Sequence, residues 1–163
     1  MKRIVATALA ISAASLMVGC TATNAMSQKS DVIPENKKPT PSVLINVTSE
    51  DAQVQLMSMV LTMQSAQQGA NTRVLLCGPA GDMALRDAPK SVTTAQPPKN
   101  MSPQGLMQMV MKNTNTNTKV EVCALYLPGK GIDQSALIDG VSAADPADIG
   151  ALMVDQTTKI MSF

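Results

Sequence analysis

Lys119-Val-Glu-Val-Cys-Ala-Leu-Tyr-Leu-Pro-Gly-Lys-Gly131 is the stretch whose reading decides the fold. Val120 and Val122 are β-branched residues in a short run that follows a polar tract and stops at a Pro/Gly turn, the pattern of a buried strand. Cys123 stands at the carboxyl end of that strand. In open parallel α/β sheets, ligands and reactive groups collect just outside the carboxyl ends of the strands, so a thiol there is a candidate nucleophile or sulfur carrier. A carrier works as the thiolate, which needs a nearby cation or oriented amides. Lys130 and the Gly129 to Gly131 backbone are the local source if the loop folds back over Cys123. The competing reading is a buried cysteine that serves as a small hydrophobe.

Working outward, Asn113 to Thr118 is an Asn-Thr repeat and reads as an exposed connector. Ser102-Pro103 is a cap followed by proline at the first helical position and predicts a helix from Pro103 to Lys112. Gly78 to Asn100 holds four prolines and no firm pattern, so it reads as a long loop. Gly78-Pro-Ala-Gly81 lacks the lysine and hydroxyl of a phosphate-binding loop and reads as a turn. Asp82, Arg86 and Asp87 beyond it are expected on a solvated surface.

Asn71 to Cys77 reads as another strand, also ending in a cysteine. Before it, Leu56, Met59, Val60 and Met63 recur at helical spacing and define one buried face. Thr48 or Ser49 is the expected cap of that helix, with Glu50 and Asp51 in the first turn, and Gly69 is its natural stop. Ser42 to Val47 is a continuous apolar run, as a strand covered on both faces requires. At the other end, Asp133 is expected to cap a short helix through Ile138, and Gly140 to Ala143 reads as a short edge strand. Asp145-Pro146 starts a helix to about Val154, and Thr157 to Phe163 reads as the last strand. The order β-α-β-α-β-α-β-α-β predicts an α/β fold, a three-layer α/β/α sandwich around a five-stranded parallel sheet.

The first 41 residues read differently. Met1-Lys-Arg is a basic start, and Ile4 to Val18 is an apolar stretch of secretory-signal layout, too short for a stable membrane-spanning helix. It ends in Leu16-Met17-Val18-Gly19-Cys20, which resembles the lipobox of bacterial lipoproteins, with Met17 where Leu is usual. That resemblance implies a signal peptide over residues 1–19, lipidation at Cys20, and anchoring to the membrane through that lipid. It places the chain in the bacterial cell envelope at the periplasmic face, and the absence of Asp after the cysteine implies the outer membrane. Ordinary signal cleavage near Ala22 or Ala25 is the alternative. Residues 20–41, rich in Ser, Asn, Lys and Pro, read as a flexible tether, and residues 42–163 as one domain.

A net charge of +1 makes no electrostatic case for nucleic acid. With no His and no clustered Cys or carboxylate pattern, neither a metal site nor a cofactor is indicated. If Cys20 carries lipid, Cys77 and Cys123 remain, in an oxidising compartment where a disulfide can persist.

Three segments in order resemble the DsrE/DsrF/TusD family of small sulfur-relay proteins. They are the Val43 to Val47 strand with its helix and the Arg73 to Cys77 strand; Val122 to Ile132; and the closing Val141 to Phe163. The resemblance implies five parallel strands, assembly into homo-oligomers, and a persulfide accepted from a sulfur donor and passed to an acceptor protein on the residue that matches Cys123. Pairs of arginines common in that family just downstream are replaced here by Pro128-Gly129-Lys130-Gly131. The family topology sets strands two and three side by side. Neighbouring strands lie ~4.8 Å apart and a disulfide spans ~4.4 to 6.8 Å between Cα atoms, so Cys77 is a candidate resolving thiol for Cys123.

Two alternatives belong to other classes. One is a binding or assembly module with an inert thiol. The other is a Cu(I) binder, since 13 methionines include Met57, Met59 and Met63, then Met107, Met109 and Met111, and thioethers are soft ligands. Residues two apart on a helix diverge, and methionine also fills core space in a chain with one Phe, one Tyr and no Trp. Tyr126 is expected to pack with its hydroxyl at the surface.

Overall fold

The computed structural model describes residues 40–163. The expected signal peptide, Cys20 and nearly all of the tether lie outside the described residues. Five strands, β1 (Ser42–Val47), β2 (Asn71–Leu76), β3 (Thr118–Val122), β4 (Ser142–Ala143) and β5 (Thr158–Ser162), form one sheet in the order β4-β3-β2-β1-β5. Every pairing is parallel. The helices are α1 (Ala52–Gln67), α2 (Lys90–Thr93), α3 (Pro103–Lys112), α4 (Tyr126–Lys130) and α5 (Pro146–Val154). No helix among the described residues is long and apolar enough to cross a membrane.

Side-chain alternation divides the sheet into two unequal faces. Val43, Ile45 and Val47 of β1, Val74 and Leu76 of β2, and Val120 and Val122 of β3 join the main core with Met59 of α1 and Leu106, Met107 and Val110 of α3. Leu44, one residue out of phase, packs on the opposite face with Ala144 and Ile149. The expected α/β/α sandwich is therefore present, with a thick layer of α1 and α3 on one side and the single helix α5 on the other.

The thin side carries charge. Glu121, between Val120 and Val122, turns to this face and is almost fully buried. Its carboxylate accepts from Arg73 Nε, and Lys119 Nζ lies 2.8 Å from its other oxygen. Asp148 of α5 sits 3.7 Å from the Arg73 guanidinium. Burial pushes the Glu121 carboxyl up, but the hydrogen bonds and charges of Arg73 and Lys119 outweigh it and hold the group below its ordinary range.

Several local expectations are corrected. Thr48 does not cap α1, because its N–H and Oγ1 both donate to Phe163 O at 2.8 and 3.0 Å and tie it to the end of β5. Asp51 is the cap, its carboxylate accepting from Gln53 N and Val54 N at 2.9 Å. The innermost face of α1 is Gln55, Ser58, Met59, Thr62 and Ala66, whereas Leu56, Val60 and Met63 are only partly buried. Two of the five innermost residues, Ser58 and Thr62, carry hydroxyls. Their hydroxyls donate back along the helix, Ser58 to Gln55 O at 2.7 Å and Thr62 to Ser58 O at 2.8 Å, so burial leaves neither unsatisfied.

The segment Gly78 to Asn100 is built rather than patternless. A 3₁₀ helix, Gly78–Ala84, buries Ala80, Met83 and Ala84 completely, and α2 buries Val92. Beyond Cys123 the expected turn is a helical turn, α4, stopped by Gly131 at φ 67°. The helix expected to run from Asp133 through Ile138 is only a 3₁₀ turn, Gln134–Ala136, after which Leu137 bridges to Leu85. The remaining bounds match the sequence reading within a residue or two.

Removing the buried carboxylate tests the thin face. Glu121→Gln is expected to cost about 3 kcal/mol near neutral pH in urea unfolding, since it removes the buried counter-charge of Arg73 and leaves it only the exposed Asp148. Because the folded value is depressed, the ionic contribution is present above the ordinary carboxyl value of about 4.3 and fades as the pH falls through the folded value. The gap between wild type and variant should therefore narrow in acid.

Candidate functional site

The sheet register sets the site. Leu76 pairs with Val122 across β2 and β3, so the next residue on each strand, Cys77 and Cys123, emerges at the same carboxyl edge. Cys77 N donates to Val47 O at 2.9 Å and Cys123 N to Leu76 O at 2.8 Å, which extends the ladder by one step. The two cysteines form a disulfide with a Cα–Cα distance of 5.1 Å, inside the usual range. It closes a 46-residue separation, a constraint on the unfolded chain of about 4 kcal/mol in chain-entropy terms.

A cavity of about 420 Å³ opens over this bond, walled by Gly78 on one side and by Leu125, Tyr126, Gly129 and Lys130 on the other. Both cysteines are partly exposed, so the sulfur pair lies at an accessible rim. Leu125 projects 81% exposed beside it. A side chain added at Gly78 or Gly129 would meet nothing within 4 Å, so the backbone on both walls is open to an approaching group.

Asp82 ties the two walls together. Tyr126 Oη donates to Asp82 Oδ1 at 2.6 Å, and Lys130 Nζ lies 2.7 Å from the same oxygen. Lys130 also sits 5.7 Å from the centre of the Tyr126 ring, a cation–π distance. Gly81 makes this possible, because a Cβ there would press into the Tyr126 ring. Burial, then the hydrogen bond to Asp82 and its negative charge, push the Tyr126 phenol far above its ordinary value.

Three of the expected site residues, Cys123, Cys77 and Lys130, thus line one cavity, while Cys20 lies outside the described residues. Lys130 is shared with Asp82. Tyr126 is corrected: it is buried and its hydroxyl is bound. Asp82 is corrected as well, from solvated surface to the centre of the network. Its one sequence signal was position, five residues after a strand-end cysteine. Arg86 lies apart and pairs with Asp139 at 2.6 Å, and Asp87 is exposed. The Met-x-Met pairs diverge, Met59 and Met107 being fully buried while Met57 and Met109 are about half exposed. No group of three or more His, Cys, Asp or Glu suited to a metal occurs among the described residues.

No protein-family model matches the chain, and no curated protein matches it in sequence. Solved structures do match in fold. The ychN protein from E. coli superposes with a TM-score of 0.57 at 20% identity, over 76% of this chain and 99% of that one. MTH1491 from Methanobacterium thermoautotrophicum, a protein of unknown function, superposes at 0.52 and 16% identity with the same coverage. The fold is DsrE-like. At these identities the likeness establishes architecture. In this chain the cysteine pair occupies the carboxyl edge of the sheet, between two loops braced by Asp82.

Two measurements test the brace. Gly81→Ala should destabilise the protein by about 1–3 kcal/mol, the cost of overpacking, and should shift the emission of Tyr126, the single Tyr in a chain without Trp. In an alkaline titration followed by phenolate absorbance, Tyr126 should resist ionisation well above the ordinary value of about 10. Asp82→Asn should move the transition back toward that value. The neutral phenol's contribution to stability is complete below about pH 10 and is lost as the pH rises through the folded value.

Proposed function

We propose that this protein is an envelope lipoprotein, anchored through Cys20, whose Cys77–Cys123 pair carries sulfur or cycles between thiol and disulfide. The observation that carries the reading is the pairing itself: two cysteines at the carboxyl ends of adjacent strands β2 and β3, on the rim of one open cavity. The DsrE-like fold is consistent with sulfur-relay chemistry.

The chemistry follows from two thiols in contact. With the pair reduced, the Cys123 thiolate attacks the outer sulfur of a donor persulfide and becomes Cys123–S–SH, while the donor leaves as its thiolate. Cys77 then attacks the inner sulfur of Cys123. Hydrosulfide departs, and the Cys77–Cys123 disulfide forms with no further oxidant. An external dithiol returns the pair to the reduced state. A protein acceptor that attacks the outer sulfur before Cys77 does would receive it instead. Lys130, on the same rim, supplies positive charge to the thiolate to the extent that Asp82 does not neutralise it.

The test is intact mass after reduction and exposure to a small-molecule persulfide. Cys77→Ser should accumulate one extra sulfur atom on Cys123, wild type should return to the disulfide with release of hydrosulfide, and Cys123→Ser should show no stable adduct. If Cys77→Ser gains no sulfur, the disulfide is a clamp and the protein is a non-catalytic binding or assembly module. Mass of the mature protein from the envelope reports lipidation at Cys20 separately.

A further inference from the structure

A second site lies on the thick helical layer and shares no residue with the cysteine cavity. A groove of about 640 Å³ runs between α1 and α3, within the ~300–1,000 Å³ usual for ligand sites. Its floor is Leu56, Val60, Met63 and Leu106, side chains that also pack on the core. Its rim is Met57 and Met109, 53% and 52% exposed, each a large apolar side chain left in water. The third wall is the Pro97 to Met101 turn. Gln96 N donates to Met101 O at 2.9 Å and Met101 N to Gln96 O at 3.3 Å, so this wall is held in place without a ligand.

We propose that this groove binds an unbranched aliphatic chain with an anionic head, of the medium-chain carboxylate class, with the tail along the methionines and the head at Lys99. Three features select that chemistry. The lining is almost wholly aliphatic or thioether, and methionine, unbranched with three rotatable bonds, moulds to a chain of no fixed shape. No aromatic ring lines the groove, the single Tyr being at the cysteine site and the single Phe at the end of β5, so a planar ligand has no stacking surface. Among the described residues Lys99 is the one charged member of the lining, which otherwise offers only Gln53 as a polar side chain. No carboxylate among the described residues lines the groove to neutralise that cation, so a buried tail with a negative head is matched at both ends.

The experiment titrates the full chain, with its disulfide intact, with dodecanoate below its micellar range, by calorimetry and by the methyl resonances of labelled methionines. Saturable binding of one molecule per chain is expected, with shifts at Met57, Met63, Met101 and Met109 and none at the core residues Met59, Met83 and Met107. Met57→Gln and Met109→Gln together should weaken binding about tenfold or more, Lys99→Glu should weaken it too, and a dodecyl trimethylammonium cation should bind at least about tenfold more weakly than dodecanoate. Because Met57 and Met109 are half exposed, these substitutions leave the core intact, which far-UV circular dichroism verifies. Absence of saturation, equal binding of the cation, or binding untouched by the double substitution overturns the proposal. None of these results bears on the cysteine pair.

Discussion

The in-register parallel pairing of β2 with β3 is the constraint on which the site depends. Once Leu76 faces Val122, the following residue of each strand has nowhere to go but the carboxyl edge, and the two Cα atoms there are 5.1 Å apart. Both amides continue the sheet ladder, so the cysteines are presented by the edge of the sheet rather than by a free loop. The walls around them are supplied by the two crossovers that leave those strands.

Those crossovers are braced against each other by one carboxylate. Asp82 comes from the 3₁₀ helix after β2, while Tyr126 and Lys130 come from the helical turn after β3, and all three meet at a single oxygen. The close approach exists because position 81 has no side chain. A thiol pair that opens and closes needs walls that do not collapse when the covalent bond is broken. The Asp82 network offers such a second connection, independent of sulfur.

The two faces of the sheet solve burial in different ways. On the thick side, α1 turns Gln55, Ser58, Met59, Thr62 and Ala66 inward, with the Ser58 and Thr62 hydroxyls satisfied within the helix, while Leu56, Met57, Val60 and Met63 line the methionine groove. On the thin side, α5 is too short to cover the sheet with apolar surface alone, and the Arg73, Glu121 and Lys119 cluster fills the space with matched charge. Such a cluster contributes little net energy when intact and costs much when one member is missing.

The strands, the caps at Ser102 and Asp145, and the position of both described cysteines were set by the sequence alone, because β-branched runs, cap-and-proline pairs and turn residues act within a few residues of chain. That Cys123 ends a strand follows from such local rules. Tertiary structure decided what no local rule carries: that Cys77 and Cys123 bond across 46 residues, that Asp82 meets Tyr126 across 44, and that Glu121 turns into a covered face rather than toward water. It also decided which side of α1 is innermost, because packing against the sheet and α3, and not apolar spacing alone, selects the buried face. The 3₁₀ turn that carries Asp82 is too short to leave a period in the sequence, and its burial depends on neighbours far along the chain. Local propensity therefore reads the strands, and packing alone brings their ends to a common purpose.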